Sequence, residues 1–150
     1  SNSKLGTKFF LERKFKTWIT PHSQEFSRLF PNIKSETNVE KALNAAQEFN
    51  ISVLLKGANS IVAENKKAWQ LFGTDSNTAR AGLGDLLSGF IAGSSAIDLT
   101  FCRNITTDFF AKYVLLHSFA ASKCKSGSNA SAIGDELAKL MRNTKTRQIS

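Results

Sequence analysis

The segment Gly82-Leu83-Gly84-Asp85 has the residue types and spacing best suited to chemistry. Two glycines one residue apart let the backbone turn tightly and aim successive N–H groups at one point. A helix beginning immediately afterwards adds its dipole, so turn and helix together form an anion site. A carboxylate beside that site is unfavourable for simple phosphate binding. It makes sense if Asp85 takes a proton from a hydroxyl that attacks the phosphate. On these four residues alone, a plain helix start with Asp85 favouring the dipole is an equal reading. The dinucleotide-binding fingerprint is not met, because Leu87 stands where a third glycine is required, and the lysine of a P-loop is absent.

Two other segments carry polar groups at structural boundaries. His22, in Thr20-Pro21-His22-Ser23-Gln24-Glu25, follows a proline turn and, taken alone, reads as a surface turn residue. Lys56, in Lys56-Gly57-Ala58-Asn59-Ser60, closes an apolar run and on its own marks the solvated end of a strand. His117 falls on the apolar face of a helical segment and reads as a packed histidine. Gly89 and Gly93 form a G-x-x-x-G that reads as close packing of a soluble helix against a strand. No His, Cys or carboxylate cluster has the spacing of a metal site.

These residues must be positioned by a chain of 150 residues, enough for one domain. Its net charge of +8 favours polyanions, yet the basic residues are scattered, with modest clusters only at 13–16 and 142–147. The charge reads as solubility plus attraction for a phosphorylated ligand, and not as a nucleic-acid interface. Cys102 and Cys124 lack a C-x-x-C spacing and read as two buried thiols of a reducing cytosol. The longest apolar stretch, 86–97, is well short of the ~20 residues a bilayer span needs. A soluble, cytoplasmic protein with no membrane partner is expected. Twelve phenylalanines predict a Phe-heavy core.

Residues 4–16 show no clean period and predict either a helix or an irregular lead-in. A short strand is predicted at 17–19, closed by Thr20-Pro21, then a short helix at 24–30. Thr37-x-x-Glu40 is a capping box opening a helix over 38–49. The apolar run 51–55 predicts a strand covered on both faces. Residues 60–63 and 68–72, flanking 64–67, predict a hairpin. A loop over 73–78 leads to a long helix from about Gly84 to Ile97, with Leu86, Leu87, Phe90 and Ile91 inward. A second long helix spans 107–123, with Phe110, Val114, His117 and Ala121 on one face, and a last amphipathic helix spans 131–142. This order of strands and helices is α/β.

The three boxes, Thr20-Pro21-His22-Ser23-Gln24-Glu25, Lys56-Gly57-Ala58-Asn59-Ser60 and Ala81-Gly82-Leu83-Gly84-Asp85-Leu86-Leu87-Ser88-Gly89, come in one order at characteristic separations. In this the chain resembles the C-terminal half of the ADP- or ATP-dependent NAD(P)H-hydrate dehydratases, members of the ribokinase-like superfamily. The resemblance covers roughly 17–140 and implies a ribokinase-like three-layer α/β/α fold, of which this single domain, 1–150, is the nucleotide-binding C-terminal portion. It implies that the strands near 17–19, 51–56 and the hairpin share one sheet on which the helix from about 84 packs. It further implies that His22 contacts hydrated NADH or NADPH, that Asp85 lies at the substrate hydroxyl as catalytic base, and that Lys56, Gly57, Ala58, Asn59 and Ser60 line the adenine-nucleotide site. Gly82, Leu83 and Gly84 would hold nucleotide phosphate. ADP or ATP is then the phosphoryl donor, with Mg2+ arriving on the nucleotide.

The implied partners are the nucleotide, the hydrated cofactor, and either a separate N-terminal half or a second copy of the chain. Four departures from the family pattern stand out: Leu83 where a small residue is usual, Arg80 near the box, Asp75-Ser76-Asn77 in place of Asn-Pro-Gly, and Ser23 in place of proline. Leu83 keeps its N–H, so the anion hole survives in principle, while its bulk is able to crowd it. Two other classes of function share parts of this pattern: a ribokinase-like small-molecule kinase, and a non-catalytic nucleotide-binding module.

Overall fold

The computed structural model describes residues 2–72, 82–101, 105–125 and 127–145, the side chains from 7 to 142 among them. Arg80, Ala81, Cys102 and the segment 73–78 lie outside the described residues. The chain divides into two compact units, Ser1–Thr74 and Asp75–Ser150.

The first unit is α/β. It contains helices α1 (Asn2–Glu12), α2 (Ser23–Leu29) and α3 (Asn38–Phe49), and strands β1 (Trp18–Ile19), β2 (Ser52–Leu55), β3 (Ser60–Glu64) and β4 (Lys67–Leu71). The strands form one sheet in the order β1-β2-β3-β4. β1 runs parallel to β2, whereas β2–β3 and β3–β4 are antiparallel. A parallel neighbour cannot be reached by a tight turn, and the crossover here carries α2 and α3.

α3 starts where its capping box predicts. Thr37 Oγ1 accepts from the Glu40 amide at 3.2 Å, and the Glu40 carboxylate accepts from the Thr37 amide at 3.3 Å. It ends on Asn50 in the left-handed conformation, φ 49°, whose amide donates to Ala46 O. Every residue of β2 is buried, as a continuous apolar run requires. Val53, Leu55, Ile61 and Ala63 of the sheet meet Ala42, Ala45, Ala46 and Phe49 of α3 in one core. Phe30 links this core to both helices, its ring centroid 5.0 Å from Phe26 and 5.0 Å from Phe49.

The lead-in takes the helical one of its two expected forms, over Asn2–Glu12, and is seated through Phe10 against Phe30 and Phe49. One local feature differs from expectation. The hairpin is tighter than the residues 64–67 suggest: Glu64 pairs with Lys67, leaving a two-residue turn in which Asn65 takes φ 50°. Asparagine tolerates this left-handed conformation, which lets the flanking polar residues join the ladder.

The second unit contains three helices, α4 (Leu83–Thr100), α5 (Thr107–Lys123) and α6 (Ala130–Lys145). Leu83, Ala120, Ala121, Ile133 and Leu137 form its buried core, with Leu86 and Phe90 packed against it. The buried Tyr113 hydroxyl of α5 donates to the Asp98 carboxylate of α4, and Phe90 meets the Tyr113 ring edge-on at 5.7 Å. Among the described residues a Cβ at Gly89 or Gly93 would meet nothing within 4 Å. They border an apolar groove of about 500 Å³ between α4 and α6, lined also by Leu86, Ile97, Leu137 and Met141. Cys124 is a free, half-buried thiol. No helix among the described residues is long and apolar enough to cross a membrane.

Candidate functional site

In the first unit the parallel pairing of β1 and β2 continues past the strand ends. His22 bridges Lys56, and the Lys56 amide donates to Pro21 O at 2.9 Å. Two segments thirty-odd residues apart in sequence are therefore adjacent in space, each at the C-terminal end of its strand. In parallel α/β sheets that is the end at which ligands bind.

His22 is the N-cap of α2. Its Nδ1 accepts from the amides of Gln24 and Glu25, both at 3.2 Å, and Glu25 Oε2 accepts from the His22 amide at 2.7 Å. This is a capping box with histidine in the leading position, not the usual serine or threonine. The second Glu25 oxygen lies 3.5 Å from His22 Nε2, and Lys56 Nζ lies 3.9 Å from Glu25 Oε2. The hydrogen bond from the His22 amide holds the Glu25 carboxyl below its ordinary value; burial opposes it, and the charges of Lys56, His22 and Arg28 add smaller lowering effects. Glu25 thus ties the two boxes together. Sequence reasoning quoted it within its box but gave it no role; the available signal was the H-x-x-E spacing, a capping box only once histidine is admitted as a cap.

Beyond Lys56 the chain turns through Gly57, Ala58 and Asn59, all exposed. Ser60 then enters β3, with its hydroxyl donating to Gly57 O at 3.3 Å. This exposed turn carries three of the five residues expected around the adenine nucleotide; Ser60 is buried at the start of β3, and Lys56 is half-buried beside Glu25.

In the second unit Gly82 is the N-cap of α4 at φ 82°, a conformation that glycine adopts without strain. It provides no side-chain cap, and the first intrahelical bond is from the Leu86 amide to Gly82 O at 2.9 Å. The amides of Leu83, Gly84 and Asp85 are therefore the orphan donors of the helix. Three such groups at the positive end of an 18-residue helix are the makings of an anion site. The Asp85 carboxylate is exposed in the first turn. Leu83 does not crowd the turn, because its side chain is buried in the core of the unit. The bulk at this position is spent on packing.

The expected residues thus fall in two clusters. His22 and Lys56 to Ser60 form one, at the ends of β1 and β2; Gly82 to Asp85 form the other, at the start of α4. Asp75-Ser76-Asn77 and Arg80 lie outside the described residues. His117 is buried in α5 with its Nε2 unpartnered among the described residues, and burial pushes its pKa down. Among the described residues no group of three or more His, Cys, Asp or Glu side chains is placed to hold a metal ion.

Several known proteins resemble this chain. The bifunctional NAD(P)H-hydrate repair enzyme Nnr of Synechocystis is 37% identical over 78 residues, 51% of this chain and 15% of that protein. The ADP-dependent (S)-NAD(P)H-hydrate dehydratase of Nitrosopumilus maritimus is 36% identical over 78 residues, 50% of this chain and 27% of that protein. A ribokinase-like superfamily protein of Enterococcus faecalis superposes over 94% of this chain and 50% of its own, with a TM-score of 0.76 at 21% identity. The ADP/ATP-dependent NAD(P)H-hydrate dehydratase of Bacillus subtilis, co-crystallised with ATP/Mg2+, superposes over 88% of this chain and 49% of its own, with a TM-score of 0.69 at 22% identity. The fold is ribokinase-like α/β, and the chain spans about half the length of these solved relatives and less of the sequence relatives. The family model of NAD(P)H-hydrate dehydratase matches residues 3–143, and the chain belongs to that family.

Proposed function

We propose that this chain is the nucleotide-binding portion of an ADP- or ATP-dependent NAD(P)H-hydrate dehydratase, which repairs NADH or NADPH that has taken up water on the nicotinamide ring. The observation that carries this reading is the start of α4 without a side-chain cap, with the amides of Leu83, Gly84 and Asp85 at its positive end and the exposed carboxylate of Asp85 in the same turn. The amides of Leu83, Gly84 and Asp85 hold the phosphoryl group and stabilise the charge that develops on it. Asp85 removes the proton of the ring hydroxyl as its oxygen bonds to the terminal phosphorus and the nucleotide departs one phosphate shorter. The ring carbon–oxygen bond then breaks, phosphate leaves, and loss of the neighbouring C–H proton restores the double bond. The turn 57–60 receives the adenine nucleotide, and His22 contacts the hydrated nicotinamide. Mg2+ would be held by the nucleotide phosphates, where it would offset their charge.

The whole reaction requires the rest of the ribokinase-like fold, since the solved relatives are about twice the length matched here. We take that complement to be the N-terminal half of the same family, working in the cytoplasm. The test is turnover of hydrated NADH with ADP or ATP in an assembly that includes this complement. Release of phosphate together with NADH supports the dehydratase; accumulation of a phosphorylated small molecule would instead establish a kinase. Nucleotide binding with no turnover would leave only a binding module.

A further inference from the structure

The His22–Glu25–Lys56 cluster restricts what His22 can offer a ligand. Nδ1 is occupied on its lone pair by two helix amides, those of Gln24 and Glu25, at 3.2 Å each. A ring nitrogen that accepts hydrogen bonds carries no proton, so the neutral ring bears its proton on Nε2. Nε2 is then a donor and nothing on the ring is left to accept. Glu25 holds this geometry from both ends. One carboxylate oxygen is fixed by the His22 amide at 2.7 Å, and the other lies 3.5 Å from Nε2. Lys56 Nζ, 3.9 Å from the same carboxylate, adds a second donor and no acceptor.

We propose that Glu25 is a positioning residue that, with the cap of α2, presents His22 to its ligand solely as an Nε2–H donor, so that the His22 ring takes an acceptor oxygen, carbonyl or phosphate, and has nothing to offer a donor-only group. His22 is thereby a recognition group and not a proton acceptor in the reaction. This rests on the reading of His22 as a ligand contact, but the state of its ring is measured without ligand.

The experiment is ring-nitrogen NMR on the whole chain. Only two histidines are present, so His22→Gln assigns the spectrum and the buried His117 serves as an internal check on folding. The parent should show His22 with a protonated Nε2 and an unprotonated Nδ1. Glu25→Gln retains an acceptor for the His22 amide, because glutamine also completes a capping box, and so removes charge without removing the cap. In that variant the His117 signals should stay in place while the His22 Nε2 signal moves, because the carboxylate 3.5 Å from it has lost its charge. Nicotinamide mononucleotide should shift His22 Nε2 in the parent, and its affinity should fall about fivefold in Glu25→Gln, as expected for loss of roughly 1 kcal/mol of hydrogen bonding. Ribose 5-phosphate separates the sources of the oxygen: a matching shift identifies phosphate, and none identifies the carboxamide carbonyl. A parent ring protonated on Nδ1, His22 signals identical in parent and Glu25→Gln, or no response to either ligand would overturn the proposal. Loss of ADP binding at Gly82–Asp85 would strike the nucleotide reading and leave the ring geometry untouched.

Discussion

Asp85 and Gly57 separate chemistry from structure at the scale of single residues. Asp85 is exposed at the start of α4, so Asp85→Asn keeps shape and helix-start polarity and removes only proton acceptance. Nucleotide affinity should persist or rise slightly as a negative charge leaves the phosphate neighbourhood. Turnover in the completed assembly should fall by roughly two to four orders of magnitude, the range of general acid–base catalysis. Activity within a few-fold of the parent would leave Asp85 as a helix-start residue. Gly57 tests the opposite quality. A Cβ there would meet nothing nearer than Asn59 O at 3.9 Å, and its backbone is not left-handed, so Gly57→Ala should fold normally. If the turn lies against the nucleotide, that variant should still bind ADP more weakly in calorimetry, with an unchanged melting temperature.

The glycines and Asp85 were legible from sequence because backbone turns and a helix start are local facts. Glu25 was not, because its role depends on a parallel strand bringing Lys56 beside it, and on a histidine acting where serine or threonine is usual.

Single elements were legible wherever local chemistry settles them. The Thr37–Glu40 box placed α3, and the apolar run at 51–55 placed β2, with tertiary structure only confirming what hydrogen bonding and burial demanded. Gly89 and Gly93 show the limit of this. Their spacing permits a close neighbour without naming one, and the structure leaves an open groove beside them. Leu83 shows the reverse: bulk that looks obstructive in a list of residues is directed into the core by the helix it begins.

His117 gives α5 a pH signature. Burial lowers its pKa from 6.5, so the unfolded chain takes up a proton at higher pH than the folded chain does. Its contribution to stability is complete above the unfolded value and is lost as pH falls from there toward the lower folded value. Urea midpoints should therefore drop between about pH 7.5 and pH 5.5, and His117→Phe should flatten that part of the profile. An equal slope in parent and variant would assign the pH dependence to other groups.

For the whole molecule, the +8 charge pointed to an anionic ligand and the scatter of the basic residues argued against a nucleic-acid interface; the three boxes in order gave the family, and the family match over 3–143 agrees with them. The exposed Ile97, Leu99 and Phe101 at the end of a nearly apolar α4 are single facts about a surface, and no sequence rule names what covers them. The central claim, that nucleotide phosphate rests on the amides opening α4, needs no complement to be tested. Backbone amide spectra of the isolated chain should be recorded as ADP is added, at low and high salt. The account predicts shifts concentrated at 82–86 and 56–60, with affinity weakening as salt rises because a positive chain meets an anionic ligand. Shifts confined to the basic residues at 142–147, or none at all, would contradict it.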